Sequence, residues 1–380
     1  MTFATIIMKV IHFFKLDIDN RRIFGLDLLR MLAVLFVVFS HSASILPPEI
    51  YQFINLFYFD GVCIFFVLSG FLIGHILITS VEKKGFGGTE LFTFWIRRWF
   101  RTLPNYYLFV IILGVLSKIF IDGFPLRAVL PFLIFCQNLV KSNESFFGES
   151  WSLSVEEWFY ISIPLLLFVF VNLFKIRFKK SLIILSVTML LFSTFLRLYM
   201  FTNGELHEMG DYRRVVIMRM DNLMYGVIGA YISYYYLNFW TQYRKASLIL
   251  GIILILIWKF YSERYSIQSF YYSNIYYPLL CTSIFLMLPF MSSYRVKKNN
   301  TLTHAVTYIS LISYSLYLIH YSLIKKLFID VILADCFDGS VSSVIIKNAF
   351  YWSTSLIGAL LIYKYFEIPT MKLRDKIKLK

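Results

Sequence analysis

The segment RMLAVLFVVFSH sets Arg30 and His41 at the two ends of ten apolar or small residues. Eleven positions at 100° each amount to three helical turns plus about 20°, so on a helix the two side chains share a face, about 16 Å apart along the axis. A guanidinium suits an anion, and an imidazole suits proton transfer near neutral pH. Further along, Asp60, Glu156 and Glu157 in SWSLSVEEWFY, Arg197, Arg219 with Asp221, and His320 in SYSLYLIHY put ionisable groups beside or inside other apolar runs. Two histidines and two carboxylates at one depth can supply a general base and the group that orients it. In FWIRRWFRTLPNYY, Arg98 and Arg101 stand at i, i+3 on one helical face, a fork of guanidiniums suited to phosphate groups. Each member also has a plainer reading. Arg30 can snorkel beside Asp27, His41 can be a packing histidine, and Arg197, Arg219 and Asp221 can form structural ion pairs. The glutamates beside Trp151 and Ser152 can cap a helix, and the arginine fork can meet anionic lipid heads. It is the constellation that favours function.

Composition says what solvent surrounds these groups. Of 380 residues 59% are hydrophobic, 19% aromatic and only 16% charged, with a mean hydropathy of +0.69. A water-soluble domain carries about a quarter charged residues, so the chain reads as a polytopic membrane protein. The net charge of +15 does not point to nucleic acid, because Lys and Arg lie in short clusters between apolar runs, the pattern that sets membrane topology. Cys63, Cys136, Cys281 and Cys336 are scattered, with no CxxC pair and no histidine at metal spacing, so no metal site and no redox chemistry are expected. The opening MTFATIIMKVIHFFK has neither a basic leading region nor a small-residue cleavage site, and reads as a short interfacial helix.

Hydropathy predicts an all-α membrane bundle of about ten transmembrane helices, at 27–46, 57–79, 103–121, 154–174, 181–201, 215–237, 246–262, 275–292, 305–328 and 342–363. The stretch AVLPFLIFCQNLV, 128–140, is too short to span and contains Pro131, so it is expected to be re-entrant or interfacial. Ten spans with both termini cytoplasmic place the basic clusters inside, whereas an eleventh would put KIRFKK outside. The expected organisation is a cytoplasmic or interfacial segment 1–24, one membrane domain 25–372 and a basic cytoplasmic tail 373–380. Arg30 then lies near the inner end of the first span and His41 near its outer end.

Five stretches in order, GLDLLRMLAVLFVVFSH, IFFVLSGFLI, RRWFRTLPNYY, SWSLSVEEWFY and ISYSLYLIHYSLI, followed by YFEIPTMK, resemble the acyltransferase 3 family of integral membrane acyltransferases. The resemblance runs from residue 25 to 372. It implies a multi-pass enzyme of the bacterial cytoplasmic (inner) membrane that binds no resident cofactor. Such an enzyme takes an acyl group, most often acetyl, from cytoplasmic acetyl-CoA as co-substrate and moves it to a sugar hydroxyl of a cell-envelope glycan or lipid-linked saccharide. Carried over by motif, the family's Arg and His fall on Arg30 and His41, its Arg-x-x-Arg on Arg98 and Arg101, and its Glu on Glu156. Many relatives continue into an extra span and an extracytoplasmic esterase-like domain, which these 380 residues do not contain. In the closing motif Ile368 stands where Arg or Lys is commoner, which leaves the role of Glu367 open.

The expected chemistry has neutral His41 removing the proton of a sugar hydroxyl, with Glu156 or His320 orienting the imidazole; an acyl-histidine intermediate is the rival. Arg30, Arg98 and Arg101 are the expected donor-binding residues. Asp60, Glu157, Arg197 and Trp151 are candidates on the acceptor side, and the Tyr-rich outer segments YSERYSIQSFYYSNIYY and LHEMGDYRR are where sugar is expected to dock. The partners are thus an acyl-CoA donor, a saccharide or glycolipid acceptor and the lipid bilayer. The alternative from another class is a transporter or flippase of a glycan intermediate or small anion, with the same charges lining its path.

Overall fold

The computed structural model describes residues 16, 18–19, 21–142, 146–204, 212–296, 300–337, 340–374 and 376. The expected N-terminal interfacial helix, most of the basic tail and most of LHEMGDYRR lie outside the described residues. The long helices are α1 Phe24–His41, α2 Gly61–Lys84, α3 Gly88–Phe120, α4 Ser150–Asn172 and α5 Phe178–Thr202. They continue with α6 Met220–Tyr235, α7 Arg244–Ser262, α8 Tyr271–Met291 and α9 Thr301–Ile332, and α10 Val341–Ile362. Among the described residues, nine helices are long and apolar enough to cross a membrane; the helix left out is α6, with 16 residues. The helix is short because the predicted span 215–237 begins with a 3₁₀ turn, Val216–Met218, before the α-helix starts.

Contacts nevertheless carry α6 along α2. Arg219 meets Cys63, the Ser233 hydroxyl is 2.7 Å from His75 Nε2, and Tyr235 hydrogen-bonds Glu82. Residues 219 to 235 therefore run parallel to residues 63 to 82, so α6 packs alongside most of α2. Small residues allow this approach: a Cβ on Gly70 would stand 1.9 Å from the Leu223 carbonyl oxygen, and one on Gly226 would stand 2.0 Å from that of Val67. Inside a bilayer, where lipid removes the hydrophobic drive between helices, such backbone contact is a main source of association. Arg197 locks α5 to α6 and the turn before it, donating to Asp221 at 2.7 Å and to the Met218 carbonyl at 2.5 Å.

Two departures from the hydropathy reading matter for the site. Helix α3 begins at Gly88, fifteen positions before the predicted edge, and runs 33 residues, so Arg98 and Arg101 lie within a continuous helix. Charged residues lower window hydropathy without breaking the helix, and Pro104 falls inside it. The 128–140 stretch does stay short, as a 3₁₀ turn and a one-turn helix, Leu130–Leu133, whose carbonyl oxygens at Phe132 and Leu133 accept from Tyr106 and Tyr107 at 2.8 Å. Helix α9 changes from α to π geometry at His320. Such widened turns recur at functional positions.

Candidate active site

The last residue of α1 and the α-to-π junction of α9 bring two histidines together across 279 positions of sequence. His41 Nδ1 lies 2.8 Å from His320 Nε2, and His320 Nδ1 lies 3.0 Å from the Leu316 carbonyl oxygen. A carbonyl can only accept, so the proton of His320 sits on Nδ1 and its Nε2 offers a lone pair. In the neutral pair that lone pair takes the Nδ1 proton of His41, and His41 Nε2 is left as the basic atom. The His41 ring stacks on Tyr321 with centroids 4.0 Å apart. Tyr321 in turn lies against Gly148, where a Cβ would come within 2.8 Å of the ring. The end of α1 is held by the Tyr351 hydroxyl on the Val38 carbonyl at 3.0 Å and by Asn348 on the Ile45 carbonyl.

Below this pair lies a partly open cavity with about 820 Å³ of free space, counting the part open to solvent. Arg30, Arg98 and Arg101 line one end; Phe65, Phe66, Leu68 and Leu72 form an apolar wall; Ser152 and Tyr317 close the other end. Arg30 is partly neutralised, 3.6 Å from Asp27 Oδ1 and 3.4 Å from the Ser310 hydroxyl, while Arg22 also binds Asp27. Glu156 faces the cavity and accepts from Ser69 and Tyr160, both at 2.9 Å. Tyr317 is the partition. Its hydroxyl is 2.6 Å from that of Ser152 and donates to the Glu149 carbonyl at 2.9 Å, and its ring lies 5.9 Å from that of His320.

Of the two orienting groups expected for His41, the structure brings His320 to it and puts Glu156 with the arginines instead. Both glutamates lie one helical turn and more below the start of α4, so their side chains meet α2 and α3, not the end of α1. Glu157 is buried and accepts from Thr102 at 2.6 Å. Among the acceptor-side candidates, Asp60 caps α2 through the Val62 amide at 3.0 Å and lies 3.4 Å from Arg213. Burial, then the charge of Asp60, pushes the neighbouring Tyr58 hydroxyl up to about 12, so it remains a proton donor. Arg197 is fully enclosed in its lock with Asp221. Trp151 is buried against Phe66 and Arg219. Glu367 accepts from Ser315 at 2.6 Å and Asn105 at 3.0 Å, tying the chain after α10 to α9 and α3.

Several members were not legible beforehand. Glu149 reads as a loop charge, yet it is buried and takes the Ser322 amide at 3.1 Å and the Ser322 hydroxyl, fixing the first π-turn after His320. Tyr317 and Tyr321 stand at −3 and +1 from His320, and only helix geometry makes one a wall of the cavity and the other a stacking partner. Fold and site together define a multi-pass helical membrane protein with a cationic, apolar-walled cavity and, on the other side of Tyr317, a histidine pair. The chain belongs to the acyltransferase 3 family: the family's model, described as an acyltransferase domain, matches residues 23–364.

A provisionally named O-acetyltransferase of Staphylococcus aureus (strain COL) is 28% identical over 228 residues, 56% of this chain and 35% of that protein. The peptidoglycan O-acetyltransferase OatA of Listeria monocytogenes is 35% identical over 132 residues, 31% of this chain and 21% of its own length. The O-acetyltransferase OatA of Staphylococcus aureus (strain NCTC 8325) is 28% identical over 167 residues, 40% of this chain and 26% of that protein. The matched region thus spans about a third or less of these relatives. No solved structure matches the chain.

Proposed function

We propose that the protein is a membrane-embedded O-acyltransferase of the bacterial cytoplasmic membrane, taking acetyl from acetyl-CoA on the cytoplasmic side and delivering it to a sugar hydroxyl of an envelope glycan on the other. The observation that carries this reading is the arrangement of groups: three arginines and an apolar wall line one cavity, and beyond Tyr317 at its far end stands a histidine pair in which the Nε2 of His41 is left as the base. Phosphates of the donor fit the guanidiniums, and the thin pantetheine arm fits the apolar wall. The end of the bundle that holds Arg98 also holds Lys83, Lys84, Lys175, Arg177, Lys179 and Lys180, which the positive-inside rule assigns to the cytoplasm.

In the proposed reaction His41 Nε2 accepts the proton of the acceptor hydroxyl as its oxygen bonds to the thioester carbonyl carbon. The carbon–sulfur bond then breaks, CoA leaves as thiolate, and the imidazolium returns its proton to the sulfur. His320 holds His41 in the tautomer this requires. Tyr317 must move aside, or the thioester must reach around it, for donor and base to meet.

The test is transfer by the purified protein in lipid nanodiscs, with radiolabelled acetyl-CoA and envelope saccharides, together with mass spectrometry of envelope glycans with and without the gene. An acetyl group lost on deletion supports the reading, and a missing or mislocated glycan would replace it with the transporter alternative. His41→Ala should abolish transfer in folded protein, and full activity there would overturn the assignment of the base. Label that stays on the wild-type protein without acceptor would favour the acyl-histidine route.

A further inference from the structure

A second crevice lies one helical turn further along the seam between α2 and α3. It is lined by the last three turns of α2 and the first turns of α3 and holds about 980 Å³ open to solvent. Lys83, Lys84 and Arg97 stand around it, and among the described residues none of the three forms an ion pair with a carboxylate. The one carboxylate in the lining, Glu90, takes the Gly87 amide at 3.0 Å and so serves the start of α3. Three cations against one engaged acid leave a concave site with surplus positive charge, floored by Phe94 and Phe86.

The crevice and the cavity below His41 are adjacent along α2 and α3. Leu72 lines the cavity and His75, one turn on, lines the crevice; Arg98 and Arg101 line the cavity, while Phe94 and Arg97, a turn before each, line the crevice. The Arg98 guanidinium lies 6.0 Å from the Phe94 ring centroid, at the boundary between them. From Ser69 in the cavity to Lys84 at the crevice rim is fifteen residues of α2, about 22 Å. A ligand lying along this seam therefore meets an apolar channel, then an arginine fork, then a cationic crevice with an aromatic floor.

We propose that this crevice seats the nucleotide end of the donor, with Lys83, Lys84 and Arg97 receiving the phosphates of adenosine 3′,5′-bisphosphate and Phe94 or Phe86 supporting the base. This rests on the acyl-CoA reading above and assigns the nucleotide half of the donor, which would lie beyond the arginine end of the cavity. The polar chemistry is phosphate recognition, which an anionic lipid headgroup shares. Adjacency to the cavity favours the nucleotide, because a lipid held there would have no use for the channel beyond Arg98.

The experiment measures binding of CoA, 3′-dephospho-CoA and acetyl-pantetheine to the full chain in nanodiscs of zwitterionic phosphatidylcholine, for wild type and for the Lys83→Gln/Lys84→Gln/Arg97→Gln variant. Wild type should bind CoA about tenfold more tightly than dephospho-CoA, since one charge-assisted contact is lost. The variant should bind the two alike, with affinity for acetyl-pantetheine, which has no nucleotide, equal to wild type. The side chains are exposed, and Arg97→Gln alone should show part of the loss if the triple variant inserts poorly. Unchanged discrimination in both variants overturns the inference while leaving the donor reading intact, whereas wild type that binds no CoA overturns the donor reading itself. A preference for CoA over dephospho-CoA that is abolished in anionic phosphatidylglycerol discs would give the crevice to lipid headgroups and equally overturn the nucleotide assignment.

Discussion

Replacing His320 by leucine removes the acceptor that, among the described residues, the Nδ1 proton of His41 has, the 2.8 Å contact across α1 and α9. A donor left without its partner in a buried site costs about 1–3 kcal/mol. If that cost falls on the transition state, at about 1.4 kcal/mol per decade, kcat drops between about fivefold and 150-fold. The drop must be smaller than for His41→Ala, which removes the base itself and should cost about 10² to 10⁴. His320 is thus a positioning residue, and its variants should rank in a particular order. Glutamine offers a carbonyl oxygen to the same proton and should recover much of the rate, whereas leucine, better suited to apolar packing, should not. Donor KM should stay unchanged in both, because the arginine cavity is untouched. Steady-state kinetics on nanodisc-embedded variants read this directly. A leucine variant at wild-type kcat, or one that outperforms glutamine in equally monodisperse protein, would refute the proton order Leu316–His320–His41.

Arg98→Gln and Arg101→Gln should each raise donor KM roughly fivefold to tenfold and leave a residual affinity less sensitive to salt, measurable by titrating CoA at two ionic strengths. Arg197→Ala leaves Asp221 charged and enclosed, at a cost of about 3–5 kcal/mol, seen as a lower thermal midpoint in detergent; the pair Arg197→Met with Asp221→Leu should recover most of it. Gly226→Val must force α2 and α6 apart, because a Cβ there already meets the Val67 carbonyl oxygen at 2.0 Å, and should abolish the monodisperse peak in size-exclusion chromatography. Gly88→Ala, with nothing within 4 Å of its Cβ, should behave as wild type in the same assay.

Sequence alone determined what depends on local periodicity and on solvent. Apolar runs of span length announced a helical membrane bundle, and the eleven-residue interval between Arg30 and His41 placed both on one face of α1. The order of motifs pointed to the family. That the 128–140 stretch forms no long helix was also legible, because its length and Pro131 are local properties. The predicted span 215–237 read less well: the window average merged a 3₁₀ turn with a 16-residue helix, whose packing along α2 shows only in its contacts.

Tertiary structure decided which ionisable groups meet. Glu156 and His320 were equal candidates to orient His41, since sequence spacing says nothing about neighbours on different helices. The choice fell to how α9 packs on α1, and to the carbonyl of Leu316, a backbone group with no signature in the side-chain pattern. The same holds for Tyr317, whose place between cavity and histidine pair depends on three helices at once, and for Glu149, a loop charge that packing enclosed with Ser322. Burial and proximity across hundreds of positions are products of the whole packing arrangement. A sequence pattern can show that polar groups sit at similar depth, but only the packed bundle determines which of them touch.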